Sequence, residues 1–305
     1  MKVLFLGSPE FAKIVLSYVI ESHHEVVAVI CQCDKPSGRG NKLTPPEIKP
    51  YALEQNIPVL QFEKVNRNIE EIKQLDFDIF VTASFGQILS RDFLAMKEGL
   101  NVHPSMLPKY RGATPIQTAL LHNDKETGIT IQKMRYEVDS GEIYAQEKFV
   151  IEDDDDFVSL STKLAHRSGQ MLVEVLDRIE KGDFSRREQM GEPTFTKMIE
   201  KKDGFLDFKN DSAQNIVGKV RAYGSNPGAF FFLDGERVKV FKAKVCDDLT
   251  EEVGKVVIEN KRFVIKAKEK SVEILILQPQ NGKKIDIKSF LNGYKMKSMM
   301  VSDAS

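Results

Sequence analysis

The chain has 305 residues, 41% of them hydrophobic, which is more than one ordinary core uses and predicts about two domains. With 29% charged residues and a formal net charge of -1, nothing marks the whole chain as a nucleic-acid or membrane binder, although the balance is uneven: 18 Lys and Arg against 13 Asp and Glu from Leu206 onward, 26 against 32 before it. Its three cysteines, Cys31, Cys33 and Cys246, exclude a disulfide framework and fit a reducing compartment, and Cys31-x-Cys33 lacks the second ligand pair a zinc site needs.

Lys2–Gly7 is a short apolar strand ending in glycine, with no charged leader, cleavage site or span of about 18 apolar residues, so a soluble cytoplasmic protein with no membrane partner is expected. Ser8-Pro9-Glu10 then opens a helix that carries Phe11, Ile14, Val15, Tyr18 and Val19 at helical spacing. Ser8 reads either as the cap of that helix or as a substrate contact. The turn lacks Gly-x-Gly-x-x-Gly, so no dinucleotide site is assigned to it. Glu25–Cys31 is a second strand. Residues 34–46 follow as a glycine- and proline-rich loop too long for a simple connector. Its Lys35, Arg39 and Lys42 suit phosphates, the alternative being a solvated flexible loop. A helix over 48–55 and buried strands over 78–84 and 99–103 complete an alternation that predicts a doubly wound, mostly parallel sheet with its site at the strand C-terminal ends.

The fourth strand carries Asn101 and His103, two residues apart and therefore on one face. An amide and an imidazole so placed can hold the oxygen of a carbonyl under attack, although an isolated strand histidine is as readily a packed structural residue. Downstream, 127–132 reads as a strand and Asp139-Ser140-Gly141 as a turn. The acidic run Asp153 to Asp156 lacks the spaced oxygen ligands of a calcium loop and sits before an amphipathic helix with Leu160, Leu164, Leu172, Val175, Leu176 and Ile179, ending at Gly182. Residues 183–203 are polar and weakly periodic. Beyond them, five short strands over 230–233, 237–241, 254–258, 263–266 and 272–277, with a helix over 288–294, suggest a small barrel. Lys239, Lys242, Lys244, Lys266, Lys268 and Lys270 form either a phosphate-binding face or an ordinary solvated one. Residues 295–305 read as a frayed tail.

His103-Pro-Ser-Met-Leu-Pro-Lys-Tyr-Arg-Gly-Ala-Thr-Pro-Ile116 resembles the His-x-Ser-Leu-Leu-Pro signature of the folate-dependent formyltransferases, with Met106 in place of leucine, a volume-conserving change. Gly7-Ser-Pro-Glu-Phe-Ala12 and Asp34-x-Pro-x-Gly-Arg-Gly-x-Lys-Leu43 are similar to the branch of that family that formylates methionyl initiator tRNA. The resemblance covers the whole chain and is looser after Gly141. Arg221-Ala-Tyr-Gly-Ser-Asn-Pro-Gly228 carries one residue more than the family element it matches and lacks its tryptophan.

The resemblance implies a Rossmann-like formyltransferase domain over 1–188, a linker over 189–205 and an OB-like β-barrel that binds tRNA over 206–305. It implies 10-formyltetrahydrofolate as co-substrate without a metal, initiator methionyl-tRNA as acceptor, and a monomer without an obligate protein partner. Asn101, His103 and Asp139 are the implied catalytic set: the first two stabilise the oxyanion, while Asp139 favours charged His103 and relays a proton. The folate pocket falls to Phe85, Gly86, Gln87, Ile88, Leu89, Ser105, Leu107, Pro108 and Val138, and the tRNA acceptor stem to Lys35, Arg39 and Lys42. Ser105 has no general base beside it in sequence and is read as structural. Two competing readings use the same residues: formylation of an amino-sugar nucleotide, which leaves the long basic loop without a duplex to enter, and a non-catalytic folate- or RNA-binding protein, which leaves the catalytic set without a purpose.

Overall fold

The computed structural model describes residues 1–37, 42–224, 226–293 and 299–302 and divides the chain into two compact units. The first comprises Met1–Pro115, Glu126–Val150 and Ser161–Lys197. Its strands are β1 (Lys2–Gly7), β2 (Glu25–Cys31), the hairpin β3 (Lys35–Ser37) and β4 (Lys42–Thr44), β5 (Val59–Gln61), β6 (Ile79–Ala83), β7 (Glu98–His103), β8 (Glu126–Lys133) and β9 (Ile143–Val150). One seven-stranded sheet runs β5-β2-β1-β6-β7-β8-β9. Pairing is parallel from β5 to β7 and antiparallel from β7 to β9.

β1 and β6 are apolar runs buried on both faces, as central parallel strands must be. The chain winds outward from β1 through β2 to β5, then returns to place β6 on the other side of β1. That reversal opens a crevice at the C-terminal ends of β1 and β6, where ligands of such sheets bind. The flanking helices are α1 (Glu10–Glu21), α2 (Ile48–Glu54), α3 (Ile69–Ile72) and α4 (Arg91–Leu94). α1 buries Phe11, Ala12, Val15, Leu16 and Val19, the stripe its 3.6-residue period predicts. Ser8 is not its cap: Pro9 holds that position without a side-chain bond, and the Ser8 hydroxyl accepts from the Gln32 backbone N–H at 3.0 Å.

The second unit comprises Ile116–Lys125, Ile151–Leu160 and Met198–Ser305. It holds most of α5 (Pro115–Leu121) and the start of α6 (Phe157–Glu180). The acidic run caps α6, Asp156 accepting from the backbone N–H groups of Val158 and Ser159 at 2.9 Å. Arg221, on α7 (Ala213–Tyr223), donates to the carbonyls of Asp155 at 2.6 Å and Glu152 at 2.8 Å, so the run is held by its backbone.

The remaining strands are β10 (Ala229–Leu233), β11 (Glu236–Cys246), β12 (Val256–Glu259), β13 (Arg262–Lys266), β14 (Ser271–Gln278), β15 (Ile285–Asp286) and β16 (Val301–Ser302), with α8 (Ile287–Gly293) before the last. The sheet order is β12-β13-β14-β11-β10-β16, with β15 on β14. Asp234-Gly235 and Asn260-Lys261 all have positive φ, the signature of two-residue turns that match strand twist. The expected frayed tail is corrected at residues 299–302. Val301 and Ser302 pair with β10, while Val256 N–H donates to Met299 O at 2.7 Å and Val301 N–H to Gly254 O at 2.9 Å. These bonds bring the two sheet edges together into a nearly closed antiparallel barrel, which removes the exposed edges. Phe208, Phe231, Phe263 and Phe290 fill this unit's core.

Candidate active site

β7 pairs with β6 on one side and β8 on the other, and this register sets Asn101 opposite both Thr82 and Gln132. The Thr82 hydroxyl donates to Asn101 Oδ1 at 2.8 Å. This contact turns the Asn101 amide so that its NH2 faces Asp139, to whose Oδ1 it donates at 3.0 Å. One Nδ2–H is used there, and the other has no partner among the described residues, which leaves it for a bound group.

Asp139 is the hub of the site. Its Oδ1 also accepts from Gln132 Nε2 at 2.8 Å, and its Oδ2 accepts from the Gly112 backbone N–H at 2.8 Å while lying 3.5 Å from His103 Nδ1. The side chains of His103 and Asp139 are only 5% and 10% exposed, so these contacts act with little competition from water. The second ring nitrogen of His103, Nε2, lies 2.9 Å from the carbonyl of Tyr110. The imidazole is therefore held at both ends.

Asp139 has φ +49°, a left-handed backbone that requires external support in a non-glycine residue. Gln189 supplies it, donating through Nε2 to the Asp139 carbonyl at 2.8 Å and the Gly141 carbonyl at 2.9 Å. Arg111 fixes Gln189 in turn, its Nε and terminal NH2 nitrogens reaching Oε1 at 3.2 and 2.7 Å. Behind Asp139, Gly141 fits where no side chain can: an added Cβ would lie 1.8 Å from Lys133 O.

Asn101, His103 and Asp139 are thus brought together. Sequence reasoning missed Thr82, Arg111, Gly112, Gln132 and Gln189. Gln132 had a signal, being a polar residue at the end of an apolar strand pattern. Gln189 had none, since it lies in the polar, weakly periodic stretch.

The residues assigned to folate divide into several environments. Phe85 and Leu89 are buried in the core cluster with Leu6, Phe62 and Phe93, whereas Ile88 is 70% and Val138 52% exposed. Gln87 braces the loop, accepting from Val65 N–H and donating to Phe62 O, both at 2.9 Å. Gly86 has φ +78°, and an added Cβ would sit 2.3 Å from Gln32 Nε2. Ser105 is fully buried and donates to Lys109 O at 2.6 Å, so its hydroxyl is structural. Leu107 is buried and its carbonyl accepts from Gln146 Nε2 at 2.8 Å; the Pro108 carbonyl accepts from Thr194 N–H at 3.2 Å.

Of the three cations assigned to tRNA, Lys35 and Lys42 are exposed on the β3–β4 hairpin, and Arg39 lies outside the described residues. Lys35 Nζ donates to Gln32 Oε1 at 2.6 Å, and Gln32 Nε2 to Phe85 O at 3.1 Å, so the root of the basic loop is bonded to the loop of Gly86. In the barrel, Lys239, Lys242 and Lys244 are exposed together because the β11–β14 register shifts between Val240 and Ala243. Lys266 is a correction: it is buried, and its Nζ is paired with Asp248 Oδ2 at 2.6 Å, so it belongs to no basic face.

Both halves of the chain match known families. The formyl transferase model matches residues 1–176 and the formyl transferase C-terminal domain model residues 198–295. A methionyl-tRNA formyltransferase from Sulfurihydrogenibium sp. (strain YO3AOP1) is 40% identical over 307 residues, covering 98% of this chain and 98% of the relative. One from Thermotoga neapolitana is 38% identical over 299 residues, covering 96% and 95%. Among solved structures, HypX from Aquifex aeolicus in complex with tetrahydrofolic acid shares the fold, with a TM-score of 0.65 at 18% identity over 100% of this chain and 51% of that one. With both domains matched and identity running almost end to end, the chain belongs to the methionyl-tRNA formyltransferase family of formyl transferases.

Proposed function

We propose that this enzyme transfers the formyl group of 10-formyltetrahydrofolate to the α-amine of methionine on initiator tRNA, in the cytoplasm and as a monomer. The observation that carries the reading is the Asp139 carboxylate, which gathers Asn101, Gln132, Gly112 N–H and His103 at the end of β7 in a chain aligned with methionyl-tRNA formyltransferases almost end to end.

Formyl transfer needs an oxyanion stabilised and a proton moved from the attacking amine to the departing folate nitrogen. The free Nδ2–H of Asn101 stabilises the oxygen as the amine closes on the formyl carbon, and His103, whose Nε2 is taken by the Tyr110 carbonyl, adds the Nδ1–H that faces Asp139 at 3.5 Å. Asp139 holds both donors and takes part, with His103, in passing the amine proton to the leaving nitrogen. The amine's C–N bond forms first, giving the tetrahedral oxyanion, and the bond to the folate nitrogen breaks as that oxyanion collapses and the nitrogen takes the proton, with no net oxidation. The exposed Ile88 and Val138, with the backbone around Gly86, suit the flat face and polar edge of a pteridine. Lys35, Arg39 and Lys42 guide the acceptor stem.

Labelled formyl transfer tests the proposal, with methionyl initiator tRNA, methionyl elongator tRNA and amino-sugar nucleotides as parallel acceptors. Labelling confined to the initiator is the expected result. Labelling of a sugar nucleotide instead would reassign the acceptor, and the absence of any transfer would remove the catalytic reading.

A further inference from the structure

The turn joining α1 to β2 carries His23 and His24, and the last turn of α6 presents Asp177 and Glu180 to it. All four lie in the first unit, in a cluster that the formyl-transfer chemistry does not use. The His24 side chain is fully buried, with Nε2 3.0 Å from Asp177 Oδ1. His23 Nδ1 lies 3.8 Å from the same oxygen. The two imidazoles stand 4.1 Å apart at 42°. One carboxylate oxygen is therefore faced by two imidazole nitrogens, and the three ligand atoms lie within 4.8 Å of one another.

We propose that His23, His24 and Asp177 form a binding site for a divalent transition cation of the zinc class. Two imidazoles and a carboxylate are a donor set that suits Zn2+. Ligand bonds of about 2.0–2.1 Å in tetrahedral array require donor atoms roughly 3.3 Å apart; the two separations from Asp177 Oδ1, 3.0 and 3.8 Å, bracket that value, and the two imidazole nitrogens lie within 4.8 Å of each other. Glu180 supplies the outer support such sites use. Its Oε2 lies 2.6 Å from His23 Nε2, which places the ring proton there and leaves Nδ1 to face the metal. Its Oε1 lies 2.7 Å from the Met1 amino group, which is also 3.1 Å from His24 Nδ1, so ligation through His24 Nε2 requires the ring proton on Nδ1 and the loss of a proton from that ammonium when the metal binds. The fourth ligand is water. Bound metal would fasten the end of α6 to the start of β2, far along the chain from Asn101, His103 and Asp139.

A hydrogen-bonded cluster of the same residues is the competing explanation, and Zn2+ titration of the metal-stripped full chain against a chromogenic chelator separates the two. One tightly bound equivalent and a raised thermal midpoint are expected. His23→Ala and Asp177→Asn, both partly exposed and thus tolerant of change, should each weaken binding at least tenfold. Glu180→Gln should weaken it about 10- to 100-fold through the lost support of His23. Cys33→Ser, which removes the competing thiol of Cys31-x-Cys33, should leave binding unchanged, and formyl transfer should survive in all four. No Zn2+ uptake, or uptake that His23→Ala and Asp177→Asn leave intact, overturns the site.

Discussion

Asp139 receives three N–H bonds, from Asn101, Gln132 and Gly112, and faces His103, so its removal disorganises both proposed oxyanion donors together. Asn101→Ala, His103→Ala and Asp139→Ala should each lower kcat by about 100- to 1,000-fold, near 3 kcal/mol of barrier for one lost donor. Their tRNA dissociation constants should stay near wild type, because none of the three lies on a basic surface. Steady-state turnover beside filter binding checks this division, which fails if binding falls as far as turnover. Gln189→Ala acts at one remove, through the carbonyls of Asp139 and Gly141. A drop in kcat of about tenfold with unchanged KM is expected, and a pure KM effect would contradict the positioning role. That Asn101 and His103 share a face was legible in sequence because Asn-x-His on a strand forces it, and the following loop has a distinctive pattern. Gln189 was not, because a residue whose whole contribution is to bond distant carbonyls leaves no periodicity behind.

Elements place these groups, and their tightest points are where they resist change. Gly141 packs against the backbone of β8, so Gly141→Ala should cost about 2 kcal/mol in urea unfolding and depress turnover by moving the Asp139 turn. Tyr144 on β9 gives a pH test. Burial, with the Glu98 carboxylate 2.7 Å from its hydroxyl, pushes its phenol up to about 12. A raised phenol stabilises the fold fully below its ordinary value near 10, and the gain disappears as pH rises through about 12. The difference in thermal midpoint between wild type and Tyr144→Phe should therefore shrink across that interval, and a constant difference would dismiss the linkage. The central strands were readable as apolar runs, and both hairpin turns from Asp234-Gly235 and Asn260. β5 and β16 were not, because strands of three and two residues take their identity from the partner they pair with.

For the whole molecule the proposed acceptor is a polyanion, and exposed cations on the β3–β4 hairpin and along β11 are candidates to meet it. Substituting Lys239, Lys242 and Lys244 together by Glu should raise the KM for tRNA at least about tenfold, flatten its dependence on salt, and leave the KM for the folate unchanged. An unaltered salt slope would assign those lysines to ordinary solvation. Domain number was legible from length and from the change to short strands after residue 205, whereas the way contacts group the segments was not. Ile116–Lys125 and Ile151–Leu160 join the second unit although first-unit sequence surrounds them. A linear reading of hydrophobic pattern cannot reveal membership that tertiary contacts decide.

That interleaving bears on how such a protein can be rearranged over generations. A gene fusion or deletion with one crossover near residue 198 would transplant most of the barrel unit but leave behind the segments 116–125 and 151–160 that belong to it. The barrel is one continuous stretch of the gene, yet part of what packs with it is encoded earlier. A barrel exchanged by such a crossover would meet residues of 116–125 and 151–160 fitted to a different partner, and restoring the fit would take point changes there.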